Sequence, residues 1–554
     1  MQWNKRTDTN SVLKIVTERT GMTETELLCD TKDYAVSNIV AAAELYLKHK
    51  NKGSKIVWYT DYDADGINSA NIAKILNSAI GIEAEVIVPR RFSDGYGIKV
   101  RQVESLNCDL LVLADNGIAA IEAVAKAKEK GMDVIILDHH EAFVNSEKIV
   151  ELPIADVIID PHITGGDFDD YCGAGLCYKF AIEVLKRIPE LTPEQKTAVM
   201  EKISIFAAVG TIADVVSLTG ENRRIVKEGI NNLLNHKSTT GLQQLLDISG
   251  MSEYTTASSM AFFLCPQFNA YGRLEDCGSK MVSSLTSYDG IMDENIEEEI
   301  GIIKVKNEER KKLAGEAMDR AELYIKANKL ENAPFIVFID EAGTIGVNGL
   351  TAGRITEKYR RPSIVVSPIS DTLLKGSGRS RDWANLKSIL DANNALIAAY
   401  GGHPGACGIT LLRNDVEAFV KAVCTSTPEM PEHEKTDDMF YDIDCPLNRV
   451  SELAPLVEKL EPYGQGNPEL IVRIDNIPFS VNKFTRLHYK LMGSDNQHVK
   501  LFADGCSFVW WNGTEEYKRL GRPKKASVLC TLGYNVYQGN KSIQAQIIAM
   551  IPSM

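Results

Sequence analysis

Four short apolar runs, each stopping on an acid or an imidazole, limit what this chain can fold into. The first is KIVWYT, Lys55 to Thr60, whose β-branched and aromatic residues read as a buried strand. Asp61, Asp63, Asp65 and Gly66 follow directly, and Ile67 to Ile80 reads as a helix. Three carboxylates at alternate positions therefore share one tight strand-to-helix turn. Carboxylates this close repel one another, which favours protonation or a bound cation, and hard divalent ions take oxygen ligands. Taken alone, such a turn fits a solvated acidic loop as well as a metal site.

The next runs extend the pattern. LLVLADNG ends on Asp115, Asn116 and Gly117; MDVIILDHH ends on Asp138, His139 and His140; DVIIDPH ends on Asp160 and His162. Helical stretches such as Ile118 to Lys130 separate them. Strands alternating with helices imply a doubly wound parallel sheet, an α/β fold whose strands all present their carboxyl ends on one edge, where ligands bind. The expected strands are Lys55–Thr60, Glu83–Pro89, Asp109–Ala114, Asp133–Leu137 and Asp156–Ile159. Asp61, Asp63, Asp115 and His139 should then converge in space. RRFSDGYG, just past the second strand, puts Arg90, Arg91 and Tyr96 on the same edge, where an aromatic face can stack a base and an arginine can reach a phosphate.

DYDADG, ADNG and LDHH, in this order, resemble the DHH phosphoesterase superfamily. RFSDGYG, YCGAGLCYK, GTIADVVSLTGENR, NAYGRL, GGHPGACG and EPYGQGNPE extend the likeness over nearly the whole chain, to the bacterial RecJ exonucleases. That resemblance implies a metal-dependent hydrolase, a single-strand-specific 5′→3′ DNA exonuclease of repair and recombination. It would need two Mn²⁺ or Mg²⁺ ions and release 5′-mononucleotides. It also implies roles. Asp115 would bridge the metals, Asp61 and Asp63 would divide between them, and His139 and Asp214 would complete the set. Asp65 would be a further ligand or part of the turn. His140 would touch the scissile phosphate or orient a neighbour, and His403 would sit on that phosphate from a second domain. Arg273, Ser377 and Arg379 would hold the 5′ phosphate. Two positions depart from the pattern: Val57 stands where some DHH enzymes carry a ligand histidine, and Tyr271 where a small residue is usual. The alternative is a DHH nanoRNase or cyclic-dinucleotide phosphodiesterase. Such enzymes usually end after their second domain, so the long tail favours the exonuclease.

At 554 residues the chain should hold several domains. The expected division is an N-terminal lead-in at 1–50, a DHH domain at 51–235, a helical connector at 236–330 and a second, DHH-associated α/β domain at 331–426. A polar Pro/Glu-rich linker at 427–438 and an OB-like β-barrel at 439–554 complete it. In the second domain GSGRSRDW and GGHPGACG read as Gly-rich turns able to cradle phosphate, with Ser377, Arg379 and His403 beside them. The barrel offers Lys483, Arg486, Lys490, Lys500, Trp510 and Trp511 to a single strand, and the adjacency of the two tryptophans puts one of them in the core.

The 11 cysteines include no CxxC pair, which argues against a structural zinc site or a disulfide framework. No apolar run is long enough to span a membrane, and MQWNKRTDTN lacks the apolar core of a signal peptide, so a cytoplasmic protein is expected. The net charge of −14 opposes a long duplex footprint but not a local single-strand channel lined by cations. Expected partners are single-stranded DNA, a single-strand-binding protein and a helicase, with the enzyme a monomer.

Overall fold

The computed structural model describes residues 2–29, 32–91, 93–144, 149–251, 255–274, 278–286, 294–481, 486–537 and 539–553. It divides into a larger unit of residues 3–304 and 440–554 and a smaller unit of residues 1–2 and 305–439.

The larger unit is built on a five-stranded, all-parallel sheet in the order Glu85–Ile87, Ile56–Tyr59, Leu110–Ala114, Asp133–Leu137, Val157–Ile159. These are the five runs read as strands, trimmed by a residue or two at their ends. The sheet is covered on both faces because its residues alternate. Val57, Tyr59, Leu111, Leu113, Val134 and Ile136 pack into one cluster with Val124 and Ala127 of the helix Ile121–Glu129. Ile56, Trp58, Leu110, Val112, Ile135 and Leu137 pack into the other, larger cluster. That larger cluster includes the helix Ala64–Ala79, which is buried on nearly every side against the helices Gly173–Lys186 and Pro193–Ala213.

The C-terminal part of this unit is a seven-stranded sheet, in the order Ile443–Asp444, Val472–Pro478, Lys525–Tyr537, Asn540–Pro552, Cys506–Trp510, His498–Ala503, Tyr489–Met492. Trp510, the last residue of the strand Cys506–Trp510, packs on its core, while Trp511 lies in the turn beyond it and is half exposed. Lys483 lies outside the described residues.

The N-terminal lead-in belongs to this C-terminal core. Val12, Ile15, Val16, Met22 and Leu27 share one hydrophobic cluster with Val450, Val457, Leu460 and Val472. Arg6 Nη1 and Arg19 Nη2 donate to the buried Asp442 Oδ1 at 2.9 and 2.6 Å. The fully buried Arg223 ties three segments together, donating to Leu460 O at 2.9 Å and Leu27 O at 3.1 Å.

Next to this junction, burial and the neighbouring Glu458 and Glu469 push the Glu461 carboxyl up to about 7 from its ordinary 4.5. An acid raised in the fold stays protonated while the unfolded chain ionises, so its contribution to stability is lost as pH rises from 4.5 towards 7. Glu461→Gln is therefore expected to gain stability over the parent at pH 8 and to match it at pH 4, read from urea midpoints. An equal difference at both pH values would contradict the assignment.

In the smaller unit the strands Ile336–Ile339 and Ser363–Pro368 run parallel, and Leu373–Arg379, Ala406–Leu412 and Ala399–His403 add antiparallel neighbours. The Gly-rich segments read as turns are mostly strand here. Gly376 and Gly378 lie inside Leu373–Arg379, with their backbone in the ladder rather than open to an anion. A Cβ on Gly376 would sit 1.9 Å from Val365 O, so glycine is required by the closeness of the two strands. The stretch expected to be a linker is fastened to this unit. Arg381 Nε pairs with Glu434 at 2.9 Å, and Arg360 Nη1 donates to Glu434 O and Thr436 O at 3.0 and 2.6 Å. Among the described residues no helix is long and apolar enough to cross a membrane.

Candidate metal centre

The parallel order of the sheet brings its carboxyl-terminal strand ends to one edge, and the acids meet there. Asp61 follows Ile56–Tyr59 by two residues. Asp63 caps the next helix, its Oδ1 accepting from the N–H groups of Asp65 and Gly66 at 3.0 and 3.1 Å. The turn admits only glycine at position 66, where a Cβ would lie 2.3 Å from Asp61 O. Asp115 follows Leu110–Ala114 with φ of 60°, a left-handed conformation that Asp and Asn adopt more readily than other non-glycine residues. Its neighbour Asn116 donates through Nδ2 to Tyr59 O and Ala114 O, at 3.1 and 2.9 Å, and so ties two strand ends together. Asp214 ends the helix Pro193–Ala213.

Three sets of potential ligand atoms lie within 4.8 Å of one another among the described residues: Asp61, Asp63 and Asp115; Asp65, His139 and Asp214; and Asp115, His139 and His140. His139 Nε2 stands 3.2 Å from Asp115 Oδ1, 3.7 Å from Asp214 Oδ2 and 3.8 Å from Asp65 Oδ2. Burial, then the charge of His140, hold the His139 imidazole below its ordinary pKa, which keeps it in the neutral form that a metal ligand needs.

The electrostatics call for a cation. Burial and Asp63 push the Asp61 carboxyl well above the usual carboxylate range, and its buried Oδ1 has no hydrogen-bond partner. Burial, with Asp65, Asp63, Asp61 and Asp214 around it, does the same to Asp115. Burial, Asp65 and Asp63 raise Asp214. Carboxylates so arranged either stay protonated or share divalent ions, and oxygen-rich sets with one imidazole suit Mg²⁺ or Mn²⁺.

Asp65 is held differently. Its Oδ2 accepts from Gly173 N at 2.6 Å and its Oδ1 from Ala174 N at 2.9 Å, at the N-terminus of the helix Gly173–Lys186. This contact needs glycines: a Cβ on Gly210 would fall 2.6 Å from Asp65 Oδ1, and one on Gly173 would fall 2.5 Å from the Asp115 Cβ.

His140 is oriented by Asp138, whose Oδ1 lies 2.7 Å from its Nδ1. Asp138 is itself buried and fixed, accepting from the N–H of Ile118 at 2.9 Å and of His139 at 2.8 Å. Burial alone would lower the His140 pKa, but the Asp138 hydrogen bond and charge outweigh it and raise the imidazole to about 9. The Tyr96 and His140 rings pack edge to face, with centroids 5.3 Å apart, and Tyr96 is 46% exposed. Arg91 lies over the Tyr62 ring at 5.0 Å.

The structure also supplies residues that reading the chain did not single out. Asp138 positions His140. Asn269 Oδ1 accepts from Ala64 N at 3.3 Å and joins the helix Cys265–Leu274 to the acidic turn. Gly272 allows that approach, since a Cβ there would meet Tyr62 O at 2.6 Å. The only sequence signal for Asn269 and Gly272 was their place inside NAYGRL. Arg273 and Tyr271 fall in the same helix, and their side chains lie outside the described residues. Asp160 belongs to none of these ligand sets. It caps the short helix Pro161–Thr164 by accepting from His162 N at 3.1 Å. Ser377, Arg379 and His403 belong to the smaller unit, on the strands Leu373–Arg379 and Ala399–His403.

Residues 55–211 match the family described as DHH family, N-terminal domain, and residues 441–549 match the RecJ OB domain. The single-stranded-DNA-specific exonuclease RecJ of Bacillus subtilis is 28% identical over 94% of this chain, which spans 65% of that protein's length. The exonuclease of the same name from Salmonella typhimurium is 28% identical, with 92% of this chain and 89% of that one covered. Among solved structures, RecJ from Thermus thermophilus in complex with Mn²⁺ superposes with a TM-score of 0.79 at 23% identity, covering all of this chain and 80% of that one, a likeness of fold.

Proposed function

We propose that this chain, which belongs to the RecJ-type exonucleases of the DHH phosphoesterase superfamily, hydrolyses single-stranded DNA from its 5′ end and releases 5′-mononucleotides. The observation that carries this reading is the convergence of Asp61, Asp63, Asp115, His139 and Asp214 on one sheet edge, in a chain that also matches the RecJ OB domain. Those five residues would hold two Mn²⁺ or Mg²⁺ ions, with Asp115, a member of two of the three ligand sets, between them. Such a pair supplies positive charge to the scissile phosphate and acidifies the attacking water. The rest falls to the protein. Asp65 locks the Gly173 helix against the ligands. Asp138 fixes His140 by Nδ1, which leaves Nε2 to donate to a phosphate oxygen, and an imidazole raised to about 9 carries its proton at neutral pH. Tyr96 offers a ring face to the base beside the scissile bond. Arg273, Ser377 and Arg379 hold the 5′ phosphate, and His403 contacts the scissile phosphate.

The division into lead-in, DHH domain, helical connector, DHH-associated domain and OB-like domain serves this reading, with the last guiding the strand. The protein is proposed to work as a monomer in the cytoplasm, receiving strands opened by a helicase and covered by a single-strand-binding protein. Chain length tests the substrate class. Long single-stranded DNA should be degraded and blunt duplex resisted; activity confined to dinucleotides or cyclic dinucleotides would overturn the exonuclease reading.

A further inference from the structure

Of the eight arginines in the smaller unit, four have a carboxylate. Arg320 binds Asp340 at 2.7 Å, Arg360 binds Asp437 at 3.2 Å, Arg381 binds Glu434 at 2.9 Å, and Arg413 pairs with Glu341. Arg310, Arg354, Arg361 and Arg379 do not; among the described residues no carboxylate comes within ion-pair distance of any of them.

Arg310, Arg354 and Arg379 are also neighbours. Arg310 lies on the helix Glu294–Ala327, its Nε and Nη2 donating to the buried Asn307 Oδ1 at 3.1 and 3.0 Å, one turn back. Arg354, on the helix Ile345–Tyr359, donates through Nη1 to Ala314 O at 3.1 Å. Residues 310 and 314 share one helix face about 6 Å apart. The Arg354 guanidinium is thus docked one turn along from Arg310. Burial and the charge of Arg354 together lower the Arg310 pKa. The nearby Glu308 is held by Lys311 at 2.8 Å. Arg379 lies along the glycine flank of the same Ile345–Tyr359 helix: a Cβ on Gly349 would come within 3.1 Å of its Nη2, and one on Gly353 within 3.9 Å of its Cγ. Arg310 and Arg379 are half-buried and Arg354 is exposed; like charges this close without a counter-ion repel one another unless an anion joins them, and a guanidinium fork matches phosphate geometry.

We infer that Arg310 and Arg354 form a phosphate-binding pair, next to Arg379, that grips the sugar–phosphate backbone of the DNA strand. The inference rests on the proposed exonuclease activity and assigns two residues to its substrate path. The ligand chemistry is a phosphate diester or monoester, so the test separates a strand from a free mononucleotide product.

The experiment compares the full-length parent with Arg310→Gln/Arg354→Gln and Arg310→Lys/Arg354→Lys, on 5′-phosphorylated single-stranded DNA at several salt concentrations. The Gln pair is expected to raise KM about ten-fold at low salt. It should flatten the slope of log KM against log salt by about 1.4, since each single-strand phosphate left without its cation takes away about 0.7. The Lys pair keeps the charge and should recover most of the slope; failure to do so would mark a packing role and overturn the inference. A Gln pair with the parent's KM and slope, or one that alters only inhibition by added dTMP, would overturn it as well. A parent that degrades no single-stranded DNA would instead refute the exonuclease reading, a different outcome.

Discussion

Asp115→Ala is expected to abolish measurable hydrolysis of single-stranded DNA in Mn²⁺. Asp115 joins two of the three ligand sets, and burial plus four neighbouring acids raise its carboxyl well above the usual carboxylate range, which a cation would relieve. Loss of such a bridge removes several kcal/mol of charge stabilisation, about a thousand-fold or more in rate at ten-fold per ~1.4 kcal/mol. Alanine brings a second effect, because φ at this position is 60° and the left-handed region costs a non-Asx residue about 1–2 kcal/mol. Asp115→Asn avoids that strain, keeps the side-chain shape and removes only the charge, so it should fold like the parent and be equally inactive. Circular dichroism and calorimetric Mn²⁺ titration check both parts. A folded Asp115→Asn variant that keeps half the parent's rate would show that the bridging role is wrong.

Ending the chain at Asp438 is expected to unfold the larger unit rather than leave a trimmed nuclease. The cut would remove the partners of Val12, Ile15, Val16 and Leu27, all buried in one cluster with the C-terminal sheet. At about 1.5–3 kcal/mol for each fully buried side chain, this amounts to on the order of 10 kcal/mol, as large as the stability of a typical domain. Arg223 would also lose its bond to Leu460 O while remaining in the core. The truncated protein should show a lost or much lowered thermal transition and no activity even on short oligonucleotides. A cooperative transition near the parent's, with oligonucleotide hydrolysis intact, would mean that the C-terminal sheet is dispensable to the fold.

That outcome marks where reading the chain worked and where it did not. The central strands were legible because residues buried on both faces leave continuous apolar runs, and each run from Ile56 to Ile159 ended on a polar residue that the parallel order carries to one edge. The acids of the site were legible for the same reason. The packing of residues 12–27 with residues 440–550 was not. Nothing local tells a short amphipathic helix which distant sheet will bury it. The stretch 427–438 has the composition of a linker, yet Arg360 and Arg381 bind it to the smaller unit, a choice made by tertiary partners. Glycines 376 and 378 misled because glycine marks close backbone approach as well as turns, and here the approach is strand to strand. Within the site, Asn269 escaped notice and Asp138 was named only as a strand end, because their work is to orient others. For Asp65, expected as a further ligand or part of the turn, no local pattern showed that both its oxygens accept backbone N–H groups 108 and 109 residues away.

The most direct test of cleavage at this centre uses two samples of one single-stranded oligonucleotide, labelled at the 5′ or the 3′ end, digested in Mn²⁺. Metal-dependent hydrolysis from the 5′ end should release the 5′ label at once as a mononucleotide, while the 3′ label stays on a steadily shortening strand and EDTA stops both. Release of the 3′ label first, internal fragments from both samples, or equal turnover in EDTA would contradict it.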